Sequence, residues 1–147
     1  MSLVMLPVAR GFEFKLTAEA DNVAIVRRAL HALLRPAGLP PDRVASITLA
    51  TTEVCANAVR HAYPDGSRGV IRIEASLSPD GSVTVVVGDH GVGFVRREDV
   101  DTAVGLGISA ALASDLRIES SSGLGTEVRM WFATSAAATS GATDPGT

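Results

Sequence analysis

The chain has 147 residues, enough for one compact domain that buries a core without disulfide or metal staples. Its hydrophobic fraction is 46% but its aromatic fraction only 4%, so the core has to be built from Val, Leu, Ile and Ala. The net charge is −3 with no basic run, which disfavours direct nucleic-acid binding.

Met1–Val8 is too short for a signal peptide and lacks its basic start. No apolar run approaches the roughly 20 residues that cross a bilayer. A cytoplasmic protein with no membrane partner is the expectation. From about Val8 to Leu16, Phe12, Phe14 and Leu16 alternate with Glu13 and Lys15, the period of a half-buried strand. Thr17 is then placed to cap a helix through Val23, Ile25, Val26, Leu30 and Leu33, which Pro36 and Gly38 end. Pro40-Pro41-Asp42 opens a second helix with the apolar stripe Val44, Ile47, Thr51, Val54, Ala58 and Ala62. Glu53 and Asn57 fall on another stripe of it, away from that core. Tyr63-Pro64-Asp65-Gly66 closes this helix with turn residues.

Val70 to Leu77 alternates again, and Val83 to Val87 is a β-branched run. Ser78-Pro79-Asp80-Gly81 between them is a hairpin signal, so these strands are expected to be antiparallel neighbours. Residues 94–104 are polar, without period, and read as a mobile loop. Gly105 to Leu116 reads as a small-residue helix, followed by a short strand near Leu116–Ser120 and a last strand Glu127–Ala133. The tail after Thr134 reads as disordered and chemically silent, which puts the domain at 1–134 and the tail at 135–147. The expected architecture is a two-layer α/β sandwich. A mixed, largely antiparallel sheet of about five strands carries about three helices on one face.

Three segments carry chemistry. Glu53, Asn57 and His61 are spaced four apart, so they neighbour one another along a helix. Asn57 offers the neutral oxygen that magnesium accepts, and Glu53 the carboxylate that deprotonates a hydroxyl or water attacking a γ-phosphate. The plainer reading is an exposed polar stripe with Glu53 solvated. Asp89-His-Gly91-Val-Gly93 follows a buried strand, so its carboxylate can accept from an exocyclic amine such as adenine N6; an Asx turn closing the strand explains it as well. Gly105-Leu106-Gly107 precedes a helix whose free N–H groups favour phosphate, unless it is only a hinge. Cys55 reads as a small buried filler, with no zinc spacing to His31, His61 or His90 and no disulfide partner. A Walker A loop and a Gly-x-Gly-x-x-Gly kinase loop are both absent.

In this order, followed by Gly123-x-Gly125-Thr126, the segments resemble the N, G1 and G2 boxes of the GHKL ATPases, which have the Bergerat ATP-binding fold. Glu53-Val-Cys-Ala-Asn57-Ala-Val-Arg-His61-Ala-Tyr63 is most similar to the anti-sigma factor serine/threonine kinases. The resemblance runs from the first strand to about residue 134. It implies ATP and Mg2+ as cofactors, Glu53 as general base, Asn57 as the magnesium ligand and Asp89 as the adenine acceptor, supported by Thr126. Gly91, Gly93, Gly105, Leu106 and Gly107 would shape the pocket and lid, and His61 would approach the phosphates. It also implies a sigma factor and an anti-anti-sigma antagonist as partners, the antagonist being phosphorylated on Ser or Thr, and homodimerisation. One departure stands out. These kinases often carry an arginine shortly before the second glycine box, whereas here the stretch is Asp101-Thr-Ala103-Val104, with Arg96 and Arg97 earlier in the loop. Two other readings therefore stay open: a nucleotide-gated binding module with little phosphoryl transfer, and an orphan histidine-kinase-type catalytic domain.

Overall fold

The computed structural model describes residues 3–4, 10–63, 69–92, 104–121 and 123–134. Its elements in chain order are β1 (Leu3–Val4), β2 (Arg10–Thr17), a 3-10 turn (Ala20–Asn22), α1 (Val23–Leu34), α2 (Pro41–His61), β3 (Val70–Leu77) and β4 (Val83–Asp89). Then come α3 (Val104–Leu112), β5 (Asp115–Ser121) and β6 (Gly125–Phe132). The strands form one six-stranded sheet in the order β1-β2-β3-β4-β6-β5. Every pairing among the described residues is antiparallel, so the sheet is not mixed as expected. The two-residue edge strand β1 is the addition to the five strands anticipated.

Alternation decides which face is covered. Phe12, Phe14, Ile71, Ile73, Val85, Val87, Val128 and Met130 all point to the helix side and are buried. Against them lie Val26, Leu30 and Leu34 of α1 and Val44, Ile47, Thr51, Val54 and Ala58 of α2, the stripes expected from spacings of three and four. Aliphatic side chains do most of this filling; the Phe12 and Phe14 rings stack on each other, centroids 5.1 Å apart. On the opposite face Arg72 reaches Glu13 at 3.4 Å, Glu127 at 2.9 Å, and Glu74, joining β2, β3 and β6 across Gly88.

The hairpin forms where its turn residues placed it. Gly81 sits at φ +91°, its N–H donates to Ser78 O at 2.9 Å, and Asp80 Oδ1 accepts from Ser82 N at 2.9 Å. Arg43, in the first turn of α2, donates to Gly81 O at 2.9 Å, to Phe132 O at 3.0 Å and to Ala133 O, tying the helix to the hairpin. Burial pulls the pKa of that guanidinium below its usual value, against the opposing charge of Asp80.

Local boundaries differ from the sequence reading at three places. Thr17 does not cap α1: it pairs with Val70 as the last rung of β2, stays extended, and its carbonyl accepts from Asn22 Nδ2 at 2.9 Å. The third helix ends at Leu112 rather than Leu116, because Ser114 N donates to Trp131 O at 2.8 Å and opens the β5–β6 ladder. That helix also begins at Val104, so Gly105, Leu106 and Gly107 lie within its first turn instead of preceding it.

Candidate nucleotide site

α2 carries the first group. Ala50 and Asn57 are seven residues apart and so share a side of the helix. α3 packs there: Ser109 Oγ, fully buried, donates to Ala50 O at 2.8 Å. Asn57 is buried, at 5% exposure, which corrects the reading of an exposed polar stripe. Among the described residues its Oδ1 has no hydrogen-bond partner. A buried acceptor left unmatched costs about 1–3 kcal/mol, so this oxygen is poised for a ligand. Glu53, one turn earlier, is half-buried, and His61, one turn later, is exposed. Cys55 points elsewhere on the helix; burial pushes its thiol up to about 12, which suits a filler and not a nucleophile.

β4 ends the second group at Asp89. Its side chain lies on the helix-facing side of the sheet, in register with Ile71 on one flank and Thr126 on the other. Gly91 N donates to Asp89 Oδ1 at 2.8 Å, so the Asx turn and the half-buried acceptor are one device. Burial raises the Asp89 pKa above the usual 3.8, while the backbone N–H groups of Gly91 and Thr126 and the nearby His90 pull it down. Thr126 Oγ1 lies 2.9 Å from Ser120 Oγ, which fixes its hydroxyl beside the carboxylate's strand.

Gly91 is required by contact: a Cβ there would stand 2.1 Å from Ala62 O, the carbonyl that also accepts Val92 N at 2.9 Å. Gly125, at φ +96°, would bring a Cβ within 2.1 Å of Asp89 O. Gly123 N then donates to Val92 O at 2.7 Å. The two glycine turns and the end of α2 thus form one interlocked corner.

Of the third group, Leu106 is buried in the core, and Gly107 is exposed with open space around it. Gly105 lies in the first turn of α3, whose N–H groups have no acceptor within the helix. Gly93, Arg96, Arg97 and Ala103 lie outside the described residues, as does the tail 135–147. Sequence reasoning gave no role to Ser109, to Tyr63 beyond a helix end, or to Gly125 beyond its place in a motif. The Gly-x-Gly-Thr run after β5 was the available signal for Gly125. For Ser109 and Tyr63 there was none, since both act through contacts distant in sequence.

The histidine kinase-like ATPase domain profile matches residues 16–132. The chain belongs to that family. The serine-protein kinase RsbW of Bacillus velezensis is 27% identical to this ATPase domain over 128 residues, 76% of this chain and 79% of that protein. The anti-sigma F factor of Clostridium botulinum is 27% identical over 125 residues, 77% of this chain and 87% of that protein. Among solved structures, the RsbU and RsbW domains of Rv1364c from Mycobacterium tuberculosis superpose with a TM-score of 0.67 at 30% identity. The match covers 84% of this chain but only 32% of that longer chain. A blue-light activated histidine kinase of Erythrobacter litoralis, TM-score 0.59 at 20% identity, shares the fold. As an ATPase domain of this family the chain uses ATP. Among the described residues no helix is long and apolar enough to cross a membrane.

Proposed function

We propose that this ATPase domain is an anti-sigma factor with protein serine/threonine kinase activity. It binds Mg-ATP, phosphorylates a Ser or Thr of an anti-anti-sigma antagonist, and sequesters a sigma factor. The likeness to relatives named serine-protein kinase and anti-sigma F factor supports the class of activity. The observation that carries the assignment to this site is Asn57: a buried, unmatched amide oxygen one helical turn from a half-buried carboxylate.

The donor set fits magnesium. Among the described residues no three His, Cys, Asp or Glu side chains gather into a metal-holding cluster; two buried neutral oxygens lack a partner, Thr48 Oγ1 and Asn57 Oδ1, and only Asn57 stands one turn from Glu53. A magnesium ion held largely by phosphates and water needs no more. Asn57 Oδ1 would hold it, and the ion would offset charge building on the phosphates during transfer.

Asp89 accepts the adenine amine, and its turn supplies the shape around it. The unpaired N–H groups of the α3 first turn face phosphate charge favourably, with Gly105 and Gly107 leaving the backbone uncovered. Glu53 takes the proton from the incoming serine hydroxyl. That oxygen then bonds to the γ-phosphorus, the bond to the β–γ bridging oxygen breaks, and ADP leaves. His61, exposed at the helix end, approaches the phosphates from the solvent side. The domain extends over 1–134, and the chain pairs with a second copy, as the resemblance implies.

The lack of a base in Asp101-Thr-Ala103-Val104 favours one second reading, a nucleotide-gated module that binds partners without transfer. The protein, Mg-ATP labelled at the γ-position and a co-encoded antagonist separate the two. Acid-stable phosphoserine or phosphothreonine on the antagonist is the expected product. Tight ATP binding with no label on any such protein supports the module, and acid-labile phosphohistidine the histidine-kinase reading.

A further inference from the structure

We infer that Tyr63 is a positioning residue for adenine recognition, a single phenol that anchors both flanks of Asp89. The inference rests on Asp89 being the adenine acceptor. Tyr63 leaves the end of α2 half-buried, and its ring lies flat on Gly69, where a Cβ would stand 1.8 Å from the ring carbon that bears the hydroxyl. The Tyr63 hydroxyl donates to Val70 O at 2.9 Å and accepts from Val70 N at 3.3 Å and from His90 N at 3.0 Å. All its hydrogen-bonding capacity is used on backbone.

Those two backbone positions bracket the carboxylate. His90 follows Asp89 directly. Val70 precedes Ile71, the β3 residue in register with Asp89. The neighbouring residue in α2's exit, Ala62, accepts Val92 N at 2.9 Å, so residues 62 and 63 together hold the turn at positions 90 and 92. Between them Gly91 N reaches back to Asp89 Oδ1 at 2.8 Å. The helix that carries Glu53 and Asn57 is thereby tied to the carboxylate that reads the base, by the Ala62 carbonyl at position 92 and by the Tyr63 hydroxyl at positions 70 and 90. Phenylalanine keeps the ring on Gly69 but leaves His90 N, Val70 N and Val70 O without their partner.

The test compares wild type with Tyr63→Phe in the full chain, by amide exchange at His90 without nucleotide and by affinity for Mg-ATP and Mg-GTP. Exchange at His90 is expected to quicken. The Kd for ATP rises about ten-fold while that for GTP stays, so the preference for adenine narrows by the same factor, and kcat at saturating ATP is retained. Unchanged exchange with an unchanged ATP-to-GTP ratio overturns the inference, as does a parallel loss for both nucleotides, which marks a general structural role. Should wild type show no preference for ATP, the reading of Asp89 falls and this inference with it, while His90 exchange still reports whether Tyr63 holds the turn. Should Tyr63→Phe not fold, Gly69→Ala decides in its place: it displaces the ring and is expected to narrow the same ratio, and a wild-type ratio there overturns the inference.

Discussion

Asn57 and Asp89 set nucleotide binding at the residue scale, and each makes a distinct prediction. Asn57→Ala removes the unmatched oxygen, so the advantage of magnesium in ATP binding should collapse: the Kd with Mg2+ should approach the Kd in EDTA, as titration calorimetry can show. Asp89 is the pH-sensitive group. Burial raises its carboxyl above the usual 3.8, so the ionised form is the costly one in the fold. Its contribution to stability is complete below the unfolded value and is lost as pH rises through the raised folded value. Asp89→Asn should therefore leave the nucleotide-free protein at least as stable as wild type at neutral pH, with the gap closing on acidification, while ATP affinity falls about 10- to 100-fold. A lower melting temperature for Asp89→Asn at neutral pH contradicts this. The spacing Glu53-x-x-x-Asn57 was legible as a possible metal and base pair, but the burial of Asn57 was not. A helical wheel locates a residue relative to its own helix and does not say what the rest of the chain lays over it.

Interlocked backbone contacts dominate at the scale of elements. Gly91 is fixed by Ala62 O, 2.1 Å from where a Cβ would sit, and a carbonyl in a helix end cannot step aside. Gly91→Ala should cost about 3 kcal/mol and lower the melting temperature by roughly 10 °C, with ATP binding weakened alongside. Thermal melts with and without nucleotide check this. Strands β2, β3 and β4 and the hairpin at Gly81 were readable because period-two patterning and a turn glycine act locally. The misplaced boundaries have a common origin. Thr17 was held in β2 by Val70, and residue 114 was drawn into the β5 edge by Trp131, both through partners far along the chain. At Gly105 and Gly107 the helix simply tolerates two glycines in its first turn, where packing by the buried Leu106 and Ser109 outweighs their poor propensity.

The whole molecule divides its labour by face. One side of the six-stranded sheet carries α1, α2 and the core; the Asp89–Gly125 corner sits at the strand ends beside the exit of α2. The fold class followed from the sequence because alternating strands and amphipathic helices in this order leave few ways to bury both. The partners followed only from the family resemblance, since no local pattern marks a protein surface. The claim that the molecule is a kinase and not only an ATP-binding module rests on Glu53. Single-turnover transfer of labelled γ-phosphate to the antagonist, at saturating Mg-ATP, tests it most directly in wild type and Glu53→Ala. The account predicts serine or threonine labelling by wild type, a fall of about 10²- to 10⁴-fold in Glu53→Ala, and the same Kd for Mg-ATP in both. Equal transfer rates in the two proteins, or full ATP binding with no transfer by wild type, would contradict it.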